Sequence, residues 1–201
     1  MAKDAGLPAG SGNLPALAEK NVWNLSPRVD PEGHVLTISR AVYSMYVNTN
    51  LVKAGQEPKS YRELLESKWK GKIGMTSPLV DPKNTFSYVA RMGLDEKYWR
   101  QLGTQNLKVA IAGRDADNLL VRGEVSVLYA TSGATVGPLI KQGAPIKAVE
   151  PEEGVISAPA TGMSLLKDAP HPNAARLFIN WLFTADGQKI WAEQIGTLSE
   201  R

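Results

Sequence analysis

The sequence of 201 residues contains no cysteine, which removes disulfides, thiolate metal sites and cysteine nucleophiles together. Histidine is nearly as scarce. His34 and His171 are the two available, neither stands at a metal-ligand spacing, and His171 lies between Pro170 and Pro172 in what reads as a helix-entry turn. No apolar run approaches the ~18 residues a membrane-spanning helix needs. The amino terminus MAKDAGLPAGSGNLP has Lys3 but no apolar core behind it, so no secretory signal is expected. That leaves two expectations: a cytoplasmic protein, or one whose natural N-terminal part is missing. Nucleotide and nucleophile signatures are absent too. There is no P-loop, GxSxG or GxGxxG, and Gly10-Ser11-Gly12 lacks the preceding strand that a dinucleotide site requires. Ser164-Leu165-Leu166-Lys167 has the SxxK spacing of penicillin-recognising enzymes without the companion KTG element. Charge of one sign is also missing as a block. The 23 basic and 20 acidic residues give a net +3 spread along the chain, which argues against nucleic acid or an anionic membrane as partner.

What is present is the balance of an ordinary globular protein, 43% hydrophobic and 21% charged, enough to bury a core. The first thirty or so residues are rich in Gly, Pro and Asn, with Leu14, Leu17 and Ala18 able to share a short helix face. Residues 35–47, VLTISRAVYSMYV, read as a strand. Ser60 and Glu63 then have the spacing of a capping box, and Tyr61, Leu65 and Trp69 recur every four residues beside Leu64, predicting a helix that Gly71 stops. A strand over 72–75 leads into the hydroxyl loop Thr76-Ser77-Pro78. A helix is predicted over 85–92, ending at Gly93, and Asp95 caps another with Tyr98, Trp99 and Leu102.

The same grammar repeats downstream. Asp115 or Asp117 can cap a helix holding Leu119, Leu120 and Val121, Gly123 stops it, and 125–129 form a strand. A second hydroxyl loop, Thr131-Ser132-Gly133-Ala134-Thr135, precedes a helix over 136–142, a break at Gly143 and Pro145, and a strand over 146–149. Pro172 opens a helix with Phe178, Trp181 and Leu182, and Thr184 starts one with Ile190 and Trp191. Helices alternating with short buried strands predict an α/β sheet with parallel strands.

Both hydroxyl loops lie between a strand end and a helix start, where unpaired amides and the helix dipole favour an anion or polar ligand. The plainer reading is that Ser77 and Thr135 cap helices. Glu150, Glu152 and Glu153 in VEPEEG form an acidic turn, either solvated or set to meet a cation or partner. Tyr43, Tyr46 and Tyr129 either fill the core or line a cleft. No residue stands out as catalytic or metal-ligating, and no cofactor is expected.

Five stretches, YSMYVNTNLV, EPKSYRELLESKWKGKIGM, LLVRGEVSVLYATSG, KQGAPIKAVEPEEG and APHPNAARLFINWLFTADGQKIWAEQIGTLSER, together resemble the extracellular solute-binding proteins of ABC importers, in the branch that takes ferric iron and organic anions. The resemblance covers about 35–201. It implies a type II periplasmic-binding-protein-like fold of two α/β lobes, here with the first lobe incomplete: 1–36 a remnant of lobe 1, 37–158 lobe 2, and 159–201 the return to lobe 1 with the C-terminal helices. It further implies a periplasmic, non-enzymatic protein, monomeric when full-length. Such a protein captures a small anion or polar organic solute between its lobes and delivers it to an ABC permease. On that reading Thr76, Ser77, Thr131, Ser132 and Thr135 donate to the ligand, Tyr43 closes one wall and Arg40 supplies a counter-charge. Relatives carry a signal peptide and about a hundred more upstream residues, and commonly continue past the element matching GTLSER, so a chain truncated at the N-terminus, and at the C-terminus as a further expectation, is implied. Iron binders of the family place adjacent tyrosines where this chain has Thr131-Ser132, which argues against iron. The alternatives are a ferric-iron binder nonetheless, or the effector or sensor domain of a regulator with this fold.

Overall fold

The computed structural model describes residues 15–18, 35–80, 92–166, 168–195 and 197–199. The chain divides into two units, one comprising Met1–Ala41 with Ala158–Arg201, the other the continuous stretch Val42–Ser157. Strand β1, Leu36–Asn48, passes from the first into the second, and its side chains are buried or half-buried throughout.

In the continuous unit the order of strands is β3-β2-β4-β1-β5, with β2 at Ile73–Thr76, β3 at Lys108–Ala110, β4 at Val127–Ser132 and β5 at Ile146–Val149. β2 is parallel to both β3 and β4. β4 and β5 each run antiparallel to β1, so the four strands joined by crossovers share one direction and β1 alone opposes them. The sheet is therefore mixed rather than purely parallel. A helical crossover makes its own strands parallel, but it does not constrain a long strand that enters from elsewhere in the chain and inserts between them.

The expected helix at 60–69 is instead two short 3₁₀ turns, Arg62–Leu65 and Ser67–Trp69, separated by an extended Glu66. Half of the capping box forms: the Glu63 amide donates to Ser60 Oγ at 3.1 Å. The Glu63 carboxylate does not return to Ser60, accepting from the Lys59 amide and the Lys68 ammonium instead. Packing explains the tighter winding. Tyr61 and Leu64, three apart and fully buried, eclipse on a threefold turn, while Glu153 accepts from the Tyr61 and Arg62 amides and Gln105 donates to the Leu65 carbonyl. Glu153, half-buried, thus caps this segment. Gly71 closes the segment at φ +74°.

Helix α2 (Glu96–Gly103), following the short α1 (Pro15–Ala18), is capped by Asp95 as predicted, its carboxylate accepting from the Tyr98 amide at 2.9 Å. Helix α3 spans Gly113–Val121 and α4 spans Gly133–Lys141. Neither Asp115 nor Asp117 caps α3; both lie inside it, behind N-cap Ala112. β4 also runs three residues past its predicted end. Two cores result, one around Tyr61, Tyr98 and Tyr129 and the other around Tyr46, Leu120 and Val136. The helix predicted over 85–92 falls almost entirely outside the described residues, as do His34 and Lys167.

The discontinuous unit contains α5 (Pro172–Leu182), α6 (Ala185–Ile195) and β7 (Leu198–Ser199), with β6 (Ile156–Met163) bringing the chain back to it. Its core gathers Leu36, Ile38, Ile179, Leu182 and Phe183. Thr184 begins α6 as predicted, accepting from the Gly187 amide. A β-carbon on Gly187 would lie 2.2 Å from the Trp181 carbonyl oxygen and 2.8 Å from the Leu182 Cα, so only glycine lets the two helices turn this closely. Gly187→Ala is expected to destabilise the protein by about 1–3 kcal/mol, measured as a lower midpoint in urea unfolding, whereas Ala185→Gly, at an exposed position two residues away, costs about 1 kcal/mol or less.

Candidate functional site

Because β2 and β4 are adjacent and parallel, their carboxyl ends open on the same edge of the sheet, where α/β proteins hold ligands. The β2 side begins with Thr76, which ends the strand, and Ser77, whose amide donates to the Ala110 carbonyl at 2.7 Å. Ser77 Oγ accepts from the Leu79 amide, which leaves its own proton available. The amino end of α3 lies close by: a β-carbon on Gly113 would be 3.9 Å from Thr76 Oγ1. Its N-cap, Ala112, has no side chain to accept from the first amides, so the helix starts beside two hydroxyls without a cap of its own. Asp115 in its first turn complements the same dipole.

The β4 side is built differently from the expected loop. Thr131 and Ser132 are still strand residues, paired with Ser44 and Tyr43 of β1. Pairing slips between Ser44 and Tyr46, where Tyr129 and Ala130 fall opposite the single residue Met45, a β-bulge. Ala130 takes φ +43°, a left-handed conformation that costs an L-residue on the order of 1–2 kcal/mol. The bulge turns the last two strand residues toward α4. Ser132 caps that helix, accepting from the Ala134 amide at 3.2 Å and keeping its proton. Thr135 Oγ1 donates back to the Ser132 carbonyl at 3.0 Å. A β-carbon on Gly133 would come within 3.0 Å of the Tyr46 hydroxyl, so the helix can start this near the tyrosine only with glycine there.

Thr131 is buried, and its hydroxyl donates to Asp117 Oδ1 at 3.1 Å. One hydroxyl proton cannot serve both Asp117 and a ligand, so with this bond in place Thr131 has none to donate outward. Tyr43 is half-buried opposite Ser132. Arg40 is buried in the discontinuous unit, opposite Leu198. The geometry therefore brings together Thr76 with Ser77 on one side, and Thr131, Ser132, Thr135 and Tyr43 on the other.

A family model described as bacterial extracellular solute-binding protein matches residues 9–199. The chain belongs to that family. Among solved structures, the periplasmic binding protein AfuA from Actinobacillus pleuropneumoniae, with exogenous fructose-6-phosphate bound, aligns with a TM-score of 0.76 at 22% identity, over 100% of this chain and 65% of its own. The ferric binding protein from Campylobacter jejuni aligns at 0.74 and 17% identity, over 97% and 65%. The substrate binding protein of the ABC transporter from Agrobacterium tumefaciens aligns at 0.73 and 13%, over 98% and 59%. No curated protein matches. The fold is thus that of the periplasmic binding proteins, and this chain spans 59% to 65% of the length of these three relatives. Among its described residues no helix is long and apolar enough to cross a membrane.

In this solute-binding protein the residue that the sequence reading missed is Asp117, considered there only as a cap. It is 1% exposed. Burial pushes its carboxyl above the usual range, with the neighbouring Thr135 and Thr131 hydroxyls opposing the shift, and its charge adds to the burial that raises Tyr46. A signal was available: Ala116, Asp117 and Leu120 share one face of α3, placing an acid on an apolar stripe. A carboxyl whose folded pKa lies above its unfolded value holds its proton more tightly in the folded state. Its contribution to stability is therefore greatest at low pH and declines as pH rises from the ordinary carboxylate range through the raised value. Asp117→Asn removes that dependence. The melting temperature of the variant minus that of the wild type is expected to increase from pH 4 toward pH 7 (about the ordinary carboxylate value to neutrality), measured by circular dichroism; a constant difference would refute it.

Proposed function

We propose that this chain is the substrate-binding component of an ABC importer, acting in the periplasm. It captures a small anion or polar organic solute and hands it to the membrane permease without chemical change. The observation that carries the reading is the convergence, at one edge of the sheet, of the Thr76, Ser77 and Ser132 hydroxyls with the amino ends of α3 and α4. Exposed amides and hydroxyl donors at helix starts suit a ligand with oxyanion character. Tyr43, across from Ser132 on β1, offers an amphipathic wall.

The relatives include both a protein bound to a sugar phosphate and a ferric binding protein, so likeness of fold does not choose between the two ligands. Residue chemistry favours the anion: by the family resemblance, iron binders carry adjacent tyrosines where this chain has Thr131-Ser132, and neutral hydroxyls are weaker partners than phenolates for so hard a cation.

The test is thermal unfolding with a panel of inorganic phosphate, sulfate, fructose 6-phosphate, a phosphonate, spermidine, thiamine and ferric citrate, since a ligand that binds only the folded protein raises the midpoint by mass action. An oxyanion or phosphate ester is expected to raise it. The double variant Ser132→Ala, Thr135→Ala is expected to lose at least about tenfold in affinity by calorimetry, equivalent to about 1.4 kcal/mol. A response to ferric citrate alone would overturn the anion reading, and unchanged affinity in the double variant would remove the β4 side from the site.

A further inference from the structure

Asp117 is a buried carboxylate for which the solute-binding reading has no direct use. It faces Thr131 from β4, Thr135 from α4 and the Tyr46 hydroxyl from β1, and with Arg114, one turn earlier on α3, it lines a groove of about 350 Å³ between the two helices. Its position relative to the candidate site is specific. Thr131 directly follows Ala130, the residue held at φ +43°, and directly precedes Ser132, the cap of α4. Gly113, beside Thr76, lies four residues before Asp117 and so on the same face of α3. One carboxylate thus joins the helix that serves the β2 side to the strand that serves the β4 side.

The energetics favour a functional reason. Taking a carboxylate out of water costs several kcal/mol unless its partners compensate, and here they are neutral hydroxyls. A leucine at this position, between Ala116 and Leu120 on the buried face, would satisfy the core equally well. A strained bulge, in contrast, relaxes unless the surrounding structure holds it. A charge-assisted hydrogen bond to the residue after the bulge is a directional means of doing so.

We propose that Asp117 is the positioning residue of the solute site: by accepting the Thr131 hydroxyl proton it clamps the Ala130 bulge and so fixes where Ser132 and the leading amides of α4 face. The inference rests on the proposed function for its role in binding, while the clamp itself is a property of the fold. Asp117 acts on the solute through Thr131 and the bulge. Its negative charge, set close to an anion-accepting corner, also works against anion binding, so the clamp trades some affinity for geometry.

The experiment compares the full chain with Asp117→Ala, Asp117→Asn and Thr131→Val by amide hydrogen exchange and by calorimetric titration with sulfate, whose charge is constant across the pH range used. The Ala134 and Thr135 amides are expected to exchange about tenfold faster in Asp117→Ala and Thr131→Val, while those of α5, in the discontinuous unit, do not change. Asparagine keeps an acceptor for Thr131 and is expected to restore slow exchange. Sulfate affinity is expected to fall about tenfold in Asp117→Ala and to hold or increase in Asp117→Asn. Wild-type affinity should increase as pH is lowered through the titration of Asp117, and Asp117→Asn should be flat. Thr131→Val keeps the shape of threonine and tests the clamp even where Asp117→Ala fails to fold. Unchanged exchange at Ala134 and Thr135 in Thr131→Val, or a rise of equal size throughout the unit, overturns the proposal. Should the wild type bind no member of the anion panel while the local exchange effect appears, the solute reading fails and the clamp stands.

Discussion

Strand β1 must find backbone hydrogen-bond partners along thirteen consecutive residues from which water is largely excluded, and the rest of the fold is arranged around that requirement. β4 and β5 pair with its second half and β7 with its first. Its buried polar side chains are under the same constraint. Ser44 donates to the Val149 carbonyl, and Asn48 donates to the Leu120 carbonyl at 2.7 Å while accepting from the Asn50 amide. The Leu120 bond ties the end of β1 to one of the last carbonyls of α3, which have no partner within the helix itself. The strand and Gly123, whose amide donates to the same Leu120 carbonyl, together fix the carboxyl end of α3, and so where its opposite end meets Thr76.

The candidate site inherits its precision from that frame. Hydroxyl side chains are short and carry one proton each, so their usefulness depends on where the backbone places them. Ser77 and Ser132 each use an oxygen lone pair on a local amide and keep the proton. Thr131 and Thr135 give theirs away, to Asp117 and to the Ser132 carbonyl. In sequence all four look alike, and the division of labour among them is a product of tertiary geometry.

Much of the fold was legible because its signals are local. The strand over 146–149, the Asp95 cap, Pro172 at the first turn of α5 and the glycine stops at 71, 123 and 143 depend on residues within a few positions of one another. Where the reading departed, the deciding partner lay far away. The four-residue spacing of Tyr61, Leu65 and Trp69 suggested an α-helix, but Glu153 and Gln105 supply the bonds that favour tighter turns. β4 outran its predicted end because a bulge is a mismatch between two strands, which one strand's pattern does not record. Asp117 was read as a cap because its partner Thr131, fourteen residues on, became visible only when α3 was laid against β4.

The division of the chain also bears on the order in which the molecule can be assembled. The unit Val42–Ser157 is one uninterrupted stretch, whereas the other is made from Met1–Ala41 and Ala158–Arg201. During synthesis from the amino terminus, every residue of the continuous unit has emerged before α5 and α6 exist, so its two cores can close while the discontinuous unit still lacks half of its own. Once closed, the inserted unit holds the distant halves of the other near one another and shortens the effective loop between them. The hydrophobic cluster of Leu36, Ile38, Ile179 and Phe183, joining residues more than a hundred positions apart, then forms at a far smaller entropic cost than the bare chain would impose.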